Sequence, residues 1–192
     1  MRHIMVMAGT GAIGLVAIFA VDLINLLYIS MLGEQAIAAA VGFAGVIGFF
    51  HMSVFIGLLI GITAIVSRSI GAQRMDDARG LGTSSVVLVG GIALVLMLVT
   101  YAFLEPILKA LGAEGRVLEL ALSFMRISLP STVLLGIGMA TSALLRSVGD
   151  ARRAMLVTLI PAVVTAVLDP LLIFGLDLGL QGAAMVVVIA RT

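Results

Sequence analysis

Residues Ala154 to Phe174 read AMLVTLIPAVVTAVLDPLLIF, an apolar run with a single carboxylate set into it. A helix needs about 20 consecutive apolar residues to cross a bilayer, and this stretch meets that length. Asp169 stands next to Pro170, and Thr165 lies one helical turn before it. A charge at the bilayer centre costs roughly 2.5–3.5 kcal/mol even on the gentler insertion scales, so it is rarely idle. Pro170 brings no backbone N–H, which loosens the preceding turn and frees the carbonyls of Thr165 and Ala166. A buried acid beside loosened carbonyls is the chemistry of a cation or proton site. The rest of the chain reads as its housing.

The 192-residue chain is 62% hydrophobic and only 11% charged, with a mean hydropathy of +1.29. Soluble domains carry about 25% charged residues, so a soluble globule is excluded. The apolar runs are continuous rather than alternating, which selects membrane-spanning helices over barrel strands. No cysteine is present, so no disulfide framework, thiol nucleophile or zinc–thiolate site can form. Tryptophan is absent too, leaving interfacial anchoring to Arg, Lys and two tyrosines. Enzymatic chemistry is not expected. There is no nucleophile–base pair or metal cluster, and the G-x-G-x-x-G match at Gly9 to Gly14 lies in a membrane helix with no strand before it. No cofactor beyond a coupling ion and no nucleic-acid partner is implied; the lipid bilayer is.

The periodicity predicts an all-α polytopic bundle forming a single domain over residues 1–192, with five complete spans and the start of a sixth. The N-terminus superficially resembles a signal peptide, but no A-x-A cleavage site leads into a soluble domain, so it reads as the first helix. Spans are expected at 8–32, 36–66, 80–104, 120–145 and 154–176, with a truncated sixth at 178–192. The 36–66 run would be about 46 Å long against a hydrocarbon core of roughly 30 Å, so it is steeply tilted or begins as an interfacial helix. Its glycines at 42, 45, 48, 57 and 61 suggest close packing or a bend. The loop EPILKALGAEGRVLE is expected to hold a short interfacial helix with Leu108 and Leu111 on its apolar side. The sixth segment stops about seven residues short of a crossing, so the chain is read as an incomplete lobe.

Orientation follows from the basic residues. Arg2, Arg68, Arg74, Arg79, Arg146, Arg152 and Arg153 fall on one side, against Lys109 and Arg116 on the other. Lys/Arg-rich loops stay in the cytoplasm, which places the N-terminus there, in an inner membrane. Spans one and five then both run outward. Asp22 and Asp169 each sit about 21–23 Å above the inner boundary. Two carboxylates at one level can share a cavity. Asn25 lies on the same face as Asp22.

By these residues the chain resembles the MATE (multidrug and toxic compound extrusion) transporters, in their N-terminal lobe. The resemblance rests on VDLINLLYISMLGEQAIAA at 21–39, GITAIVSRSIGAQR at 61–74, LLRSVGDARRAM at 144–155 and VLDPLLIFGLDLGLQGAA at 167–184. It implies a cation-coupled antiporter, driven by H+ or Na+, that exports amphiphilic and often cationic drugs by rocking two lobes, the C-terminal one missing here. It also implies a cation site made by Asp22 and Asp169. Where the family commonly has Asn, Thr165 stands, and Val187 replaces a frequent threonine. These departures remove one amide and one hydroxyl and tilt the expectation towards protons.

Blander readings stand beside these. Asp22 can be a structural acid bonded to Asn25. Asp169 can pair with Arg126, which lies at a similar depth, or Arg126 can snorkel towards Glu119. His51 can relay protons, although a lone histidine on a glycine-rich helix is more often a packed, hydrogen-bonded residue. Two other functions compete: a lipid-linked oligosaccharide flippase of the same broad superfamily, and a non-transporting fragment or assembly partner. The flippase would want several basic residues in the cavity, and this reading finds only Arg126.

Overall fold

The structure is a computed structural model that describes residues 35–175 and 179–192, with Val16, Ala20 and Leu23 as isolated helical positions. The first expected span, with Asp22 and Asn25, lies outside the described residues. What is described is all helical: α1 (Gln35–Gly71), α2 (Met75–Ala102), α3 (Leu104–Ala110), α4 (Gly115–Ser128), α5 (Thr132–Ser147), α6 (Ala151–Pro170) and α7 (Gly179–Arg191). A 3-10 turn, Leu129–Ser131, joins α4 to α5, and a π turn, Leu171–Gly175, follows α6. Four stretches are long and apolar enough to cross a membrane: Gln35–Gly71, Met75–Ala102, Gly115–Ser147 and Ala151–Ile173. Their outward surface is apolar, with Phe49 75% and Val87 70% exposed. In water that would be a liability; against lipid tails it is the expected face.

The helix ends show how backbone groups are kept paired. After α1 the Gln73 N–H donates to Ile70 O at 2.9 Å and the Arg74 N–H to Ser69 O at 3.0 Å, with Gln73 at φ 59°. That is a Schellman cap built on glutamine instead of the usual glycine. Gly149, at φ 85°, closes α5 in the same way through Gly149 N–H to Arg146 O and Asp150 N–H to Leu145 O. At the start of α6 the Asp150 side chain accepts a 3.0 Å hydrogen bond from the Arg153 N–H, the usual acidic N-cap. The cap after α1 carries that helix to Gly71, beyond the end at 66 that hydropathy marks, because a helix stops where its ladder is capped and not where the hydrocarbon ends.

Pro130 interrupts the fourth crossing as expected. Lacking an N–H, it cannot continue the ladder, and the chain tightens into the 3-10 turn. There the Ser131 hydroxyl donates to Ser128 O at 2.6 Å. The interfacial loop holds α3, with Leu108 fully buried, whereas Leu111 is exposed. Leu111 falls on the last turn, after which Gly112 (φ 96°) turns the chain so that Ala113, not Leu111, packs inward.

Among the described residues a small cluster pairs Ile37 of α1 with Leu180 of α7, and two larger ones hold the bundle. One joins α1, α3 and α4 through Ala40, Ala44, Ile47, Leu104, Leu108 and Met125. The other joins α1, α2 and α5 through Ile62, Val66, Val89 and Ala140. Between them α1, α2 and α5 cross closely at Gly136, where a Cβ would stand 3.2 Å from both the Ala93 Cβ and the Phe55 ring. The α1 glycines behave otherwise: no atom lies within 4 Å of a Cβ built on 42, 45, 48, 57 or 61. Among the described residues they do not mark a close approach. Gly136→Leu is therefore expected to destabilise the bundle by about 1–3 kcal/mol through overpacking. Gly138→Ala on the same helix, with open space beside it, should be neutral or slightly stabilising. Thermal unfolding in detergent distinguishes the two.

Candidate functional site

Asp169 sits in the last turn of α6. It is 1% exposed, and neither carboxylate oxygen has a hydrogen-bond partner among the described residues. Its place is set by the two prolines inside α6, Pro161 and Pro170. Each withholds a donor from the carbonyl four residues earlier, Val157 and Ala166. The π turn begins at once after Pro170, and α7 packs against both α6 and that turn. Thr165, one turn before the acid, donates its hydroxyl to Pro161 O at 2.9 Å. Its oxygen keeps lone pairs for a cation, but its proton is committed.

Arg126 stands elsewhere. It is exposed and lines a surface pocket with Tyr101, Glu105 and Pro106. It forms no ion pair with Asp169, and Glu119 is taken by Arg116 at 3.3 Å. A depth argument along the helix axis says nothing about rotation around it, and rotation separates Arg126 from the acid. The Glu105 carboxyl in the same pocket is held below its ordinary pKa, first by a 2.7 Å hydrogen bond from Lys109 and that residue's charge, with a smaller pull from Arg126.

A second polar centre lies between α1, α4, α5 and α7. It is a cavity of about 250 Å³ lined by Gly45, Gly48, His51, Ser128, Thr132 and Arg191 among apolar neighbours. The two glycines leave room where side chains would fill it. Asp169 is not among its lining residues. His51 is 1% exposed; its Nε2 lies 2.9 Å from the Thr100 hydroxyl of α2, while its Nδ1 is buried without a partner. Arg191 donates to the Ser131 hydroxyl at 3.0 Å. Pro130 is what turns Ser131 to that position.

Arg191 escapes the sequence reading, which counted Arg126 as the basic residue of the lobe. The available signal was a lone cation in the sixth apolar segment, and an intramembrane charge marks a site by default. The described part of the site thus offers one unpaired acid on α6 and one arginine beside a histidine across the bundle. Among the described residues no three His, Cys, Asp or Glu side chains come together to hold a metal.

Residues 12–171 match the MatE family. Over 191 residues the chain is 30% identical to the FAD transporter of Shewanella oneidensis, covering 96% of this chain and 41% of that protein. It is 29% identical to the multidrug export protein MepA of Staphylococcus aureus over 167 residues, 85% of this chain and 36% of that one. A crystal structure of the Vibrio cholerae MATE transporter VcmN in its bent form superposes with a TM-score of 0.91 at 28% identity, covering 99% of this chain and 43% of that one. The chain spans about two fifths of the length of these relatives, one lobe of their fold.

The His51–Thr100 pair ties α1 to α2 inside the bundle. Thr100→Val is expected to cost about 1–3 kcal/mol by leaving a second imidazole nitrogen unpaired, and Thr100→Ser to recover most of it. Unfolding of the purified chain in detergent reads both.

Proposed function

The chain belongs to the MatE family, and on that footing we propose that it forms one lobe of a cation-coupled antiporter exporting amphiphilic organic compounds. Asp169 is its coupling residue on α6. The observation that carries the reading is that carboxylate, buried at 1% exposure with no partner among the described residues. Left ionised it carries an uncompensated charge, so taking up a proton or a cation changes its free energy strongly. A group of that kind can be linked to a second binding event. Asp22 and Asn25 of the first span join it as the resemblance implies. Alternating access needs a second lobe moving against this one. Export as the direction is supported by the name of MepA, a multidrug export protein.

Protons fit better than sodium. Thr165 stands where an amide would serve sodium, and its hydroxyl proton is already given to Pro161 O. Val187 adds no oxygen. Proton exchange needs only the carboxylates. The excess of arginines at Arg68, Arg74, Arg79, Arg146, Arg152 and Arg153 supports a cytoplasmic N-terminus.

In the assembled two-lobe transporter, Asp169→Asn and Asp22→Asn are expected to reduce ion-coupled efflux to background with expression retained. Thr165→Val should leave proton-driven flux within about threefold, a change under 1 kcal/mol. Proteoliposomes with an imposed pH or sodium gradient measure this; full coupled flux in both Asn variants sinks the assignment. Because the chain lacks cysteine, topology is checked on a clean background. Asp76→Cys should react with impermeant maleimide only from the cytoplasm, and Glu114→Cys only from outside.

A further inference from the structure

Among the described residues, the cavity between α1, α4, α5 and α7 carries a positive charge that Asp169, which is not part of its lining, does not balance. Arg191 lies 12 residues into α7, about 18 Å from its start, near the middle of a crossing. Its guanidinium has the Ser131 hydroxyl as a partner and makes no ion pair among the described residues. Arginine cannot shed its proton to escape burial, and a neutral hydroxyl does not balance its charge. Two further polar groups face the same space: the Thr132 and Ser128 side chains line it. His51 lines it as well, with a buried Nδ1 that lacks a partner. No carboxylate lines it among the described residues. The remaining wall is apolar and pliable, with Met52, Phe124, Met125 and Leu135.

We propose that this cavity binds the anionic group, carboxylate or phosphate, of an amphiphilic organic solute, with Arg191 as its counter-charge and the Met52–Phe124–Leu135 wall holding the apolar part. The proposal rests on the transporter reading for its occupant and names the charge sign of the substrate at this lobe. Guanidinium presents a planar fork of donors suited to such oxyanions. At about 250 Å³ the cavity is smaller than most ligand pockets, which run about 300–1,000 Å³. It takes the head of a solute and the nearest part of its tail.

The test uses the purified chain in nanodiscs of zwitterionic lipid and three fluorescent amphiphiles sharing one skeleton, with a carboxylate, a neutral amide or a quaternary ammonium head. The carboxylate is expected to bind at least about tenfold more tightly than the other two, an advantage of about 1.4 kcal/mol. Arg191→Gln should abolish that preference and Arg191→Lys retain part of it. Circular dichroism confirms that each variant is helical, and the wild-type charge series stands even if Arg191→Gln does not fold. Equal binding of all three heads, as would follow if a carboxylate outside the described residues neutralised Arg191, overturns the proposal. So does tighter binding of the ammonium probe. Displacement of the carboxylate probe by phosphatidylglycerol would reassign the site to a lipid headgroup and also overturn it. The coupling assignment fails separately: Asp169→Asn with full ion-coupled flux sinks that reading and leaves the anion preference of Arg191 standing.

Discussion

In the hydrocarbon layer no water is available to pair a backbone group or dilute a charge, and this constraint shapes every irregular feature of the chain. Each unpaired backbone group there costs several kcal/mol. Pro130 breaks the fourth crossing, and Ser131 answers at once by donating to the Ser128 carbonyl. Inside α6, the Thr165 hydroxyl is likewise paired, donating to the Pro161 carbonyl, while the carbonyls that the two prolines leave without a ladder donor are those of Val157 and Ala166. Beside these paired hydroxyls, the Asp169 carboxylate and the His51 Nδ1 stand out as buried groups with no partner among the described residues. Under the proposed reading, an ion or a ligand completes these two side chains.

The two polar centres divide their work by chemistry. The α6 acid is negative and held on a helix loosened by prolines, where small local shifts are cheap. The α7 arginine is positive and aimed into a cavity whose walls come from the tightly crossed helices α1 and α5. Under the proposed reading, an ion-exchanging group and a solute-facing group are kept apart, so that the two influence each other without occupying the same atoms. α7 packs against α6 and its π turn on one side and against α4 on the other. With α5, which also packs against α6 and lines the cavity through Thr132 and Leu135, it links the two centres.

Much of the fold was legible because bilayer crossing imposes long apolar runs, and prolines announce their own breaks, as Pro130 and Pro170 do. Helix ends were less so. Hydropathy marks the membrane, whereas the helix α2 starts at Met75 among exposed charges and α1 ends beyond Gly71 on a left-handed Gln73. Nothing in the composition of that loop favours glutamine for the role. The α1 glycines looked like packing points, but whether a glycine meets a neighbour or leaves a hollow depends on helix rotation, which one-dimensional spacing does not carry. The same rotation decided that Arg126 faces Glu105 and not Asp169. Arg191 was overlooked because its meaning comes from Ser131, 60 positions away in the chain.

The length of α1 has a mechanical consequence. Its 37 residues extend about 55 Å, nearly twice the roughly 30 Å of hydrocarbon available. Such hydrophobic mismatch is ordinarily relieved by tilting the helix or thickening the lipid around it. Here the N-terminal third of α1 is sheltered by protein. Ala40, Ala44 and Ile47 are covered by Leu104 and Leu108 and by α4, so protein replaces the missing lipid. The short α3 thus covers, with Leu104 and Leu108, part of the length by which α1 exceeds a crossing. The cavity beside Gly45 and Gly48 therefore borders a stretch of α1 whose neighbours are protein, with Met125 and Leu129 of the same cluster in its wall.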